Sequence, residues 1–186
     1  MAVLVRQLTS PRASVWAAAE DNQLWANGQF PFQLLHDLYD SRGGLSFFEV
    51  TSRDDPALIG VAAALHFPAG NDKILSKDRV ESVHFRTVHS ADVQALGLTI
   101  TATPGETRDS EVNKLHREIT GINGPLAVEL ARLMAQNPTV DFKAAEVAGG
   151  ISDGICKGYL HEKFLHGNMI HNLIREGAAT ITYKAA

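Results

Sequence analysis

A single cysteine in 186 residues, Cys156, excludes an intrachain disulfide and a cysteine-rich zinc site. That usage fits a reducing compartment, so a cytoplasmic location is the expectation. Long apolar runs are missing as well. The longest, residues 57–65, is about half of the roughly 18 residues that a membrane span needs, so no membrane partner is expected. The start, Met1-Ala2-Val3-Leu4-Val5-Arg6, lacks the basic region and extended apolar core of a secretory signal. There is no basic excess either: net charge is -4, with 17 Lys and Arg against 21 Asp and Glu. No overall positive field would hold phosphate backbones, which disfavours nucleic acid as a partner.

What is present is the composition of a packed globule, 45% hydrophobic and 20% charged, in a chain long enough for one core. We therefore expect one globular domain over residues 1–186. The order in which the apolar segments change period indicates its class. Residues 2–8 are β-branched at Val3 and Val5 and suit a first strand. Thr9-Ser10-Pro11 then starts a helix, and Asn27-Gly28 stops it. Phe30-Pro31 starts a second, which ends at Arg42-Gly43-Gly44.

Residues 45–50 read as a strand, residues 53–56 as a turn, and residues 57–67 as a second strand of a hairpin. Ala62-Ala63-Ala64 is poor strand material, so a buried helix stays open for that run. Residues 68–78 read as a polar loop. Residues 80–88 alternate, with His84 and Arg86 on one side and Val83 and Phe85 on the other. Both sides carry polar residues, which places the strand centrally or along a cleft. Residues 97–103 form a further candidate strand, and 109–119 look helical and polar.

Gly121-Ile122-Asn123-Gly124-Pro125 is the strongest turn signal, and the apolar stripe Leu126, Leu130, Leu133 and Met134 follows at helical spacing. Residues 140–147 read as a strand, Ser152-Asp153 as the cap of a helix through Lys163, residues 166–176 as its extension, and 178–184 as a last strand. The class is α/β (mixed α+β), with a central, mostly antiparallel sheet flanked by helices.

A glycine-flanked turn that opens into a helix, as at Gly121–Gly124, can seat an anion on outward-pointing amides. Turn chemistry alone explains the same residues. His161, His166 and His171 are five apart, so each is rotated roughly 140° from the last on a straight helix and they share no face. They lack the i, i+4 pairing of a zinc-binding helix, and no metal ligand is assigned. Cys156 has no obvious base beside it.

The element order resembles the GNAT superfamily of acyl-CoA-dependent N-acyltransferases. Leu58-Ile59-Gly60-Val61-Ala62 is similar to that family's third strand. Gln94-Ala95-Leu96-Gly97-Leu98-Thr99 resembles its pyrophosphate loop, with Thr99 where Gly or Ala is usual. Leu160-His161-Glu162-Lys163-Phe164 resembles its late helix, with His161 where a tyrosine general acid is common.

The resemblance implies acyl-CoA as co-substrate and an amine acceptor, a small molecule or a protein. It implies a pyrophosphate held near Gln94 and Gly97, or near Gly121, Asn123 and Gly124. Glu81 or His84 would accept the amine proton, and His161 would protonate the leaving thiolate. Two other readings stand beside it: a non-catalytic binding or dimerisation module of α+β fold, with a homo-oligomer open, and a His-dependent metalloenzyme.

Overall fold

A computed structural model describes residues 2–8, 38, 44–70, 77–103, 105 and 107–175. The two helices expected between residues 9 and 44 lie outside this set, except for helical, buried Leu38, and so does the strand expected at 178–184. The described strands are β1 (Val3–Leu8), β2 (Gly44–Val50), β3 (Val83–His89), β4 (Thr99–Ala102), β5 (His116–Thr120) and β6 (Val140–Phe142). They form one sheet in the order β4-β5-β2-β1-β3-β6. The pairings β1–β2, β1–β3, β2–β5 and β4–β5 are all antiparallel. The described helices are α1 (Ala57–Ala64), α2 (Ser90–Ala95), α3 (Ser110–Asn113), α4 (Gly124–Ala135), α5 (Ala144–Cys156) and α6 (Gly167–Arg175). The class is mixed α+β, an antiparallel sheet with helices.

The chain divides into two compact units. The first comprises Met1–Asp55, His84–Thr103 and Leu115–Val140; the second comprises Pro56–Val83, Pro104–Lys114 and Asp141–Ala186. In the first, Leu4, Leu8, Leu45, Phe47, Val88 and Ile119 from one face of the sheet join Leu130, Ala131 and Met134 of α4 in a buried cluster. Helix α4 starts as its sequence dictates. Asn123 caps it by accepting from the Leu126 amide at 3.0 Å, and Pro125 occupies the first turn.

In the second unit, α1 packs on α5 through small residues. Gly150 faces Ile59 and Ala63 so closely that a Cβ there would lie 3.0 Å from the Ile59 carbonyl oxygen.

Four segments differ from the sequence reading. Residues 57–64 form the helix left open as the alternative, since an Ala-rich run favours helix and presents little bulk to α5. Leu58–Ala62, the segment likened to a third strand, is therefore helical. Residues 109–119 split into the short α3 and strand β5, whose Arg117 and Glu118 pair across to Phe47 and Ser46. The strand at 140 ends at Phe142, and α5 follows with Ser152 and Asp153 inside it.

Candidate functional site

The first unit carries a row of arginines across one face of its sheet. Residues directly opposite on paired strands share a face. Arg6 of β1 stands opposite Arg86 of β3, with Leu4 opposite Val88 and Leu8 opposite His84 on either side. Val5 pairs with Phe48, so Phe47 is the next member of the row beyond Arg6, and Phe47 in turn stands opposite Arg117 of β5. The row therefore reads Arg86, Arg6, Phe47, Arg117. Like charges directly opposite on neighbouring strands oppose pairing, so the Arg6–Arg86 pair is an electrostatic feature that the sheet must accommodate.

Each guanidinium is oriented by the chain itself. Arg86 is 1% exposed, and its Nη1 donates to the Asn137 carbonyl at 2.9 Å, just beyond the C-terminus of α4. A cation there also suits the helix dipole. Arg6 Nη1 donates to the Ser46 carbonyl at 2.8 Å, and its guanidinium carbon lies 5.7 Å from the centre of the Phe47 ring. Arg117 Nε donates to Glu49 Oε2 at 2.7 Å, and its Nη1 to the His116 carbonyl at 2.8 Å. Glu49 stands opposite Leu4 and so lies on the same face. The row runs from fully buried Arg86 to a partly open end, where the Arg117 side chain is 21% exposed. A guanidinium carries five donors in a fixed plane and stays charged at any physiological pH, so the part-exposed Arg6 and Arg117 have the chemistry to receive a carboxylate or phosphate, while Arg86 lies inside the core.

On the opposite face His116 is buried. Its Nδ1 is 2.8 Å from Thr103 Oγ1, and its ring meets the edge of Phe48 with centroids 5.4 Å apart. Its Nε2 is buried with no hydrogen-bond partner among the described residues.

The residues singled out in the sequence fall into three places. His84 lies beside the arginine row, two residues from Arg86 on the same face of β3, and is half-buried. The two candidate pyrophosphate turns come together. Thr99 pairs with Thr120, and Gly121 lies against Leu98, so Gln94 and Gly97 share one corner of the sheet with Gly121, Asn123 and Gly124.

Gly97 and Gly121 adopt φ of 79° and 87°, which explains glycine at both. Three amides at this corner are committed. The Gly97 amide donates to Gln94 at 2.9 Å, and the Leu126 and Ala127 amides donate to the side chain and carbonyl of Asn123. Pro125 has no amide hydrogen.

Glu81 and His161 lie in the second unit. Glu81 precedes β3 rather than lying on it, and its carboxylate accepts from Lys77 at 2.9 Å and Arg79 at 3.1 Å. The Lys77 ammonium hydrogen-bonded to it, with Arg79 beside, holds this carboxyl below the ordinary glutamate range. That makes it a weaker base. His161 is exposed and caps the single 3-10 turn Glu162–Phe164, with its ring edge-on to Phe164. Arg108 stacks on the same Phe164 ring, with its guanidinium carbon 3.7 Å from the centroid. Among the described residues, no three His, Cys, Asp or Glu side chains come together as a metal-binding group.

No family model, curated protein or solved structure matches the chain.

Arg6 and Arg86 are the residues that sequence reasoning passed over. Their signal was a charged residue inside the otherwise β-forming strings Val-Leu-Val-Arg and His-Phe-Arg-Thr.

Proposed function

We propose that this chain is an α+β binding domain for an anionic small molecule, with acyl-CoA the first ligand to test. The observation that carries the reading is the Arg6–Arg86 pair, opposite each other on one sheet face and continued by Phe47 and Arg117. An anion would be met at the part-exposed end of the row, by Arg117 and Arg6, whose bonds to His116 and Ser46 hold the forks in place beforehand. Acyl transfer to an amine is a second reading, favoured by His84 on the same face. There the imidazole would take the proton from the attacking amine while the thioester C–S bond breaks.

Calorimetric titration with CoA, acetyl-CoA and inorganic phosphate tests the first reading. Arg6→Gln and Arg117→Gln should each weaken binding by about tenfold or more, the usual scale for a charge-assisted hydrogen bond. No binding of any of the three at millimolar concentration, or binding indifferent to both substitutions, sinks the proposal. Release of CoA from acetyl-CoA in the presence of amines, lost in His84→Gln with binding retained, would establish the second.

A further inference from the structure

His66 is fully buried yet is bonded at both ring nitrogens. Beyond α1 the chain winds on, with the Leu65, His66 and Phe67 amides donating to Val61, Ala63 and Ala64. The turn carries the imidazole back over the helix, where Nδ1 lies 3.1 Å from the Ala62 carbonyl. Nε2 lies 3.1 Å from the Glu81 amide. That amide can only donate, so Nε2 must be the bare acceptor nitrogen, and the ring's single hydrogen sits on Nδ1, facing Ala62. The His66 carbonyl also accepts from the Lys77 amide at 3.2 Å. One residue thus ties down both ends of residues 77–81.

We propose that His66 is an acid-sensitive latch, which fastens the Glu81 end of residues 77–81 to the end of α1 while its imidazole is neutral and releases that end when it is protonated, the Lys77 end staying tied to the His66 carbonyl. A hydrogen on Nε2 would face the Glu81 N–H, donor against donor, and the bond would be lost. The surrounding charges oppose one another. Lys77 disfavours an imidazolium and Glu81 favours it. Arg79 is paired with Glu81, and the Asp78 carbonyl accepts from Asn172 of α6 at 3.3 Å. Helix α1 contributes no ionisable side chain between residues 57 and 64.

The segment joined to Phe67 and Pro68 brings Arg108, stacked on Phe164, and Asp109, whose carboxylate accepts from the Glu111 and Val112 amides. His171 of α6 is exposed. Burial is the dominant influence on the ring and lowers its pKa to about 4, so the latch stays shut at neutral pH. Opening would free the backbone that carries Lys77, Arg79 and Glu81, whose side chains are already part-exposed in the closed form.

Amide exchange by NMR on the full chain, normalised to the intrinsic rate at each pH, tests this. Protection of the Glu81 amide should fall about thirtyfold between pH 7.5 and 5, from linkage to a group that regains its ordinary pKa on opening. It should also lie below that of the Ile151 amide in α5 of the same unit, which marks unfolding of that unit. Equal protection of the two amides at every pH overturns the latch. So does a pH-independent Glu81 amide, or an undiminished fall in His66→Gln. The fall should persist in Glu81→Gln; its loss there would assign the effect to the carboxylate and overturn the proposal. The ring itself provides a mutation-free arm: its nitrogen shifts should report a bare Nε2 at pH 7, and a protonated one refutes the latch.

Discussion

Two neighbouring glycines in α5 provide a sharp test of how closely the helices of the second unit pack. Glycine inside a helix costs about 1 kcal/mol relative to alanine, so either substitution alone should stabilise the helix. Gly149 has no atom within 4 Å of where a Cβ would stand, and Gly149→Ala should therefore raise stability by about 0.5 to 1 kcal/mol. Gly150 differs. Its Cβ would lie 3.0 Å from the Ile59 carbonyl oxygen, 3.1 Å from Ile59 Cγ1 and 3.3 Å from Ala63 Cβ. The nearest of these belongs to the backbone of a packed helix and cannot rotate aside. Forcing a methyl into such an interface costs about 1 to 3 kcal/mol, which exceeds the propensity gain.

Gly150→Ala should be destabilising by about 1 kcal/mol, so two adjacent and chemically identical substitutions should differ by about 2 kcal/mol. Urea unfolding followed by circular dichroism at pH 7.5 reads this directly. In a chain of this length it corresponds to roughly 4 to 8 °C in Tm. If the two variants agree within about 0.5 kcal/mol, the close approach of α1 to α5 is refuted.

Other outcomes follow from the same geometry. Burial lowers the His66 pKa from the ordinary 6.5 to about 4, so its stabilising contribution is complete above pH 6.5 and is lost as pH falls towards 4. Wild-type stability should drop by about 2 kcal/mol between pH 7.5 and 5, and urea titrations of His66→Gln should lack that component. Glu49→Gln removes a carboxylate 2.7 Å from Arg117 and should strengthen CoA binding several-fold by calorimetry; weaker binding would contradict the arginine-row assignment. Asn123→Ala removes the cap of α4 and should cost about 1 kcal/mol in chemical denaturation.

Much of the fold could be read from local chemistry. The alternation read over residues 80–88 covers most of β3 at Val83–His89, and the Gly124–Pro125 turn and the apolar stripe after it coincide with the start and the buried face of α4. The failures have physical causes. Glu111, Lys114 and Glu118 fall at helical spacing, but a short helix and a strand share that stretch, and the Glu111–Lys114 pair closes within α3 and its cap. The Ala run of α1 is too apolar all round to show a period; what decided it was alanine's helix preference together with the glycine face of α5. Val140–Phe142 is too short to outvote the residues after it, where the Glu146 carboxylate accepts from the Lys143 amide at 2.8 Å and starts α5.

The candidate site was hidden for a different reason. Arg6, Arg86 and Arg117 lie in three strands far apart in sequence, and only the pairing register places them in one row. A shift of one residue in β1 or β3 would put Arg6 and Arg86 on opposite faces. Function inherits that dependence. Arginines can hold an anion but cannot take a proton from an amine, so the role proposed for the row by itself is binding. On the described part of that face, the side chains with a basic atom to offer are His84 and Glu49, and Glu49 is engaged by Arg117. The choice between binding and acyl transfer therefore narrows to one imidazole, placed beside the row by the same register that made it.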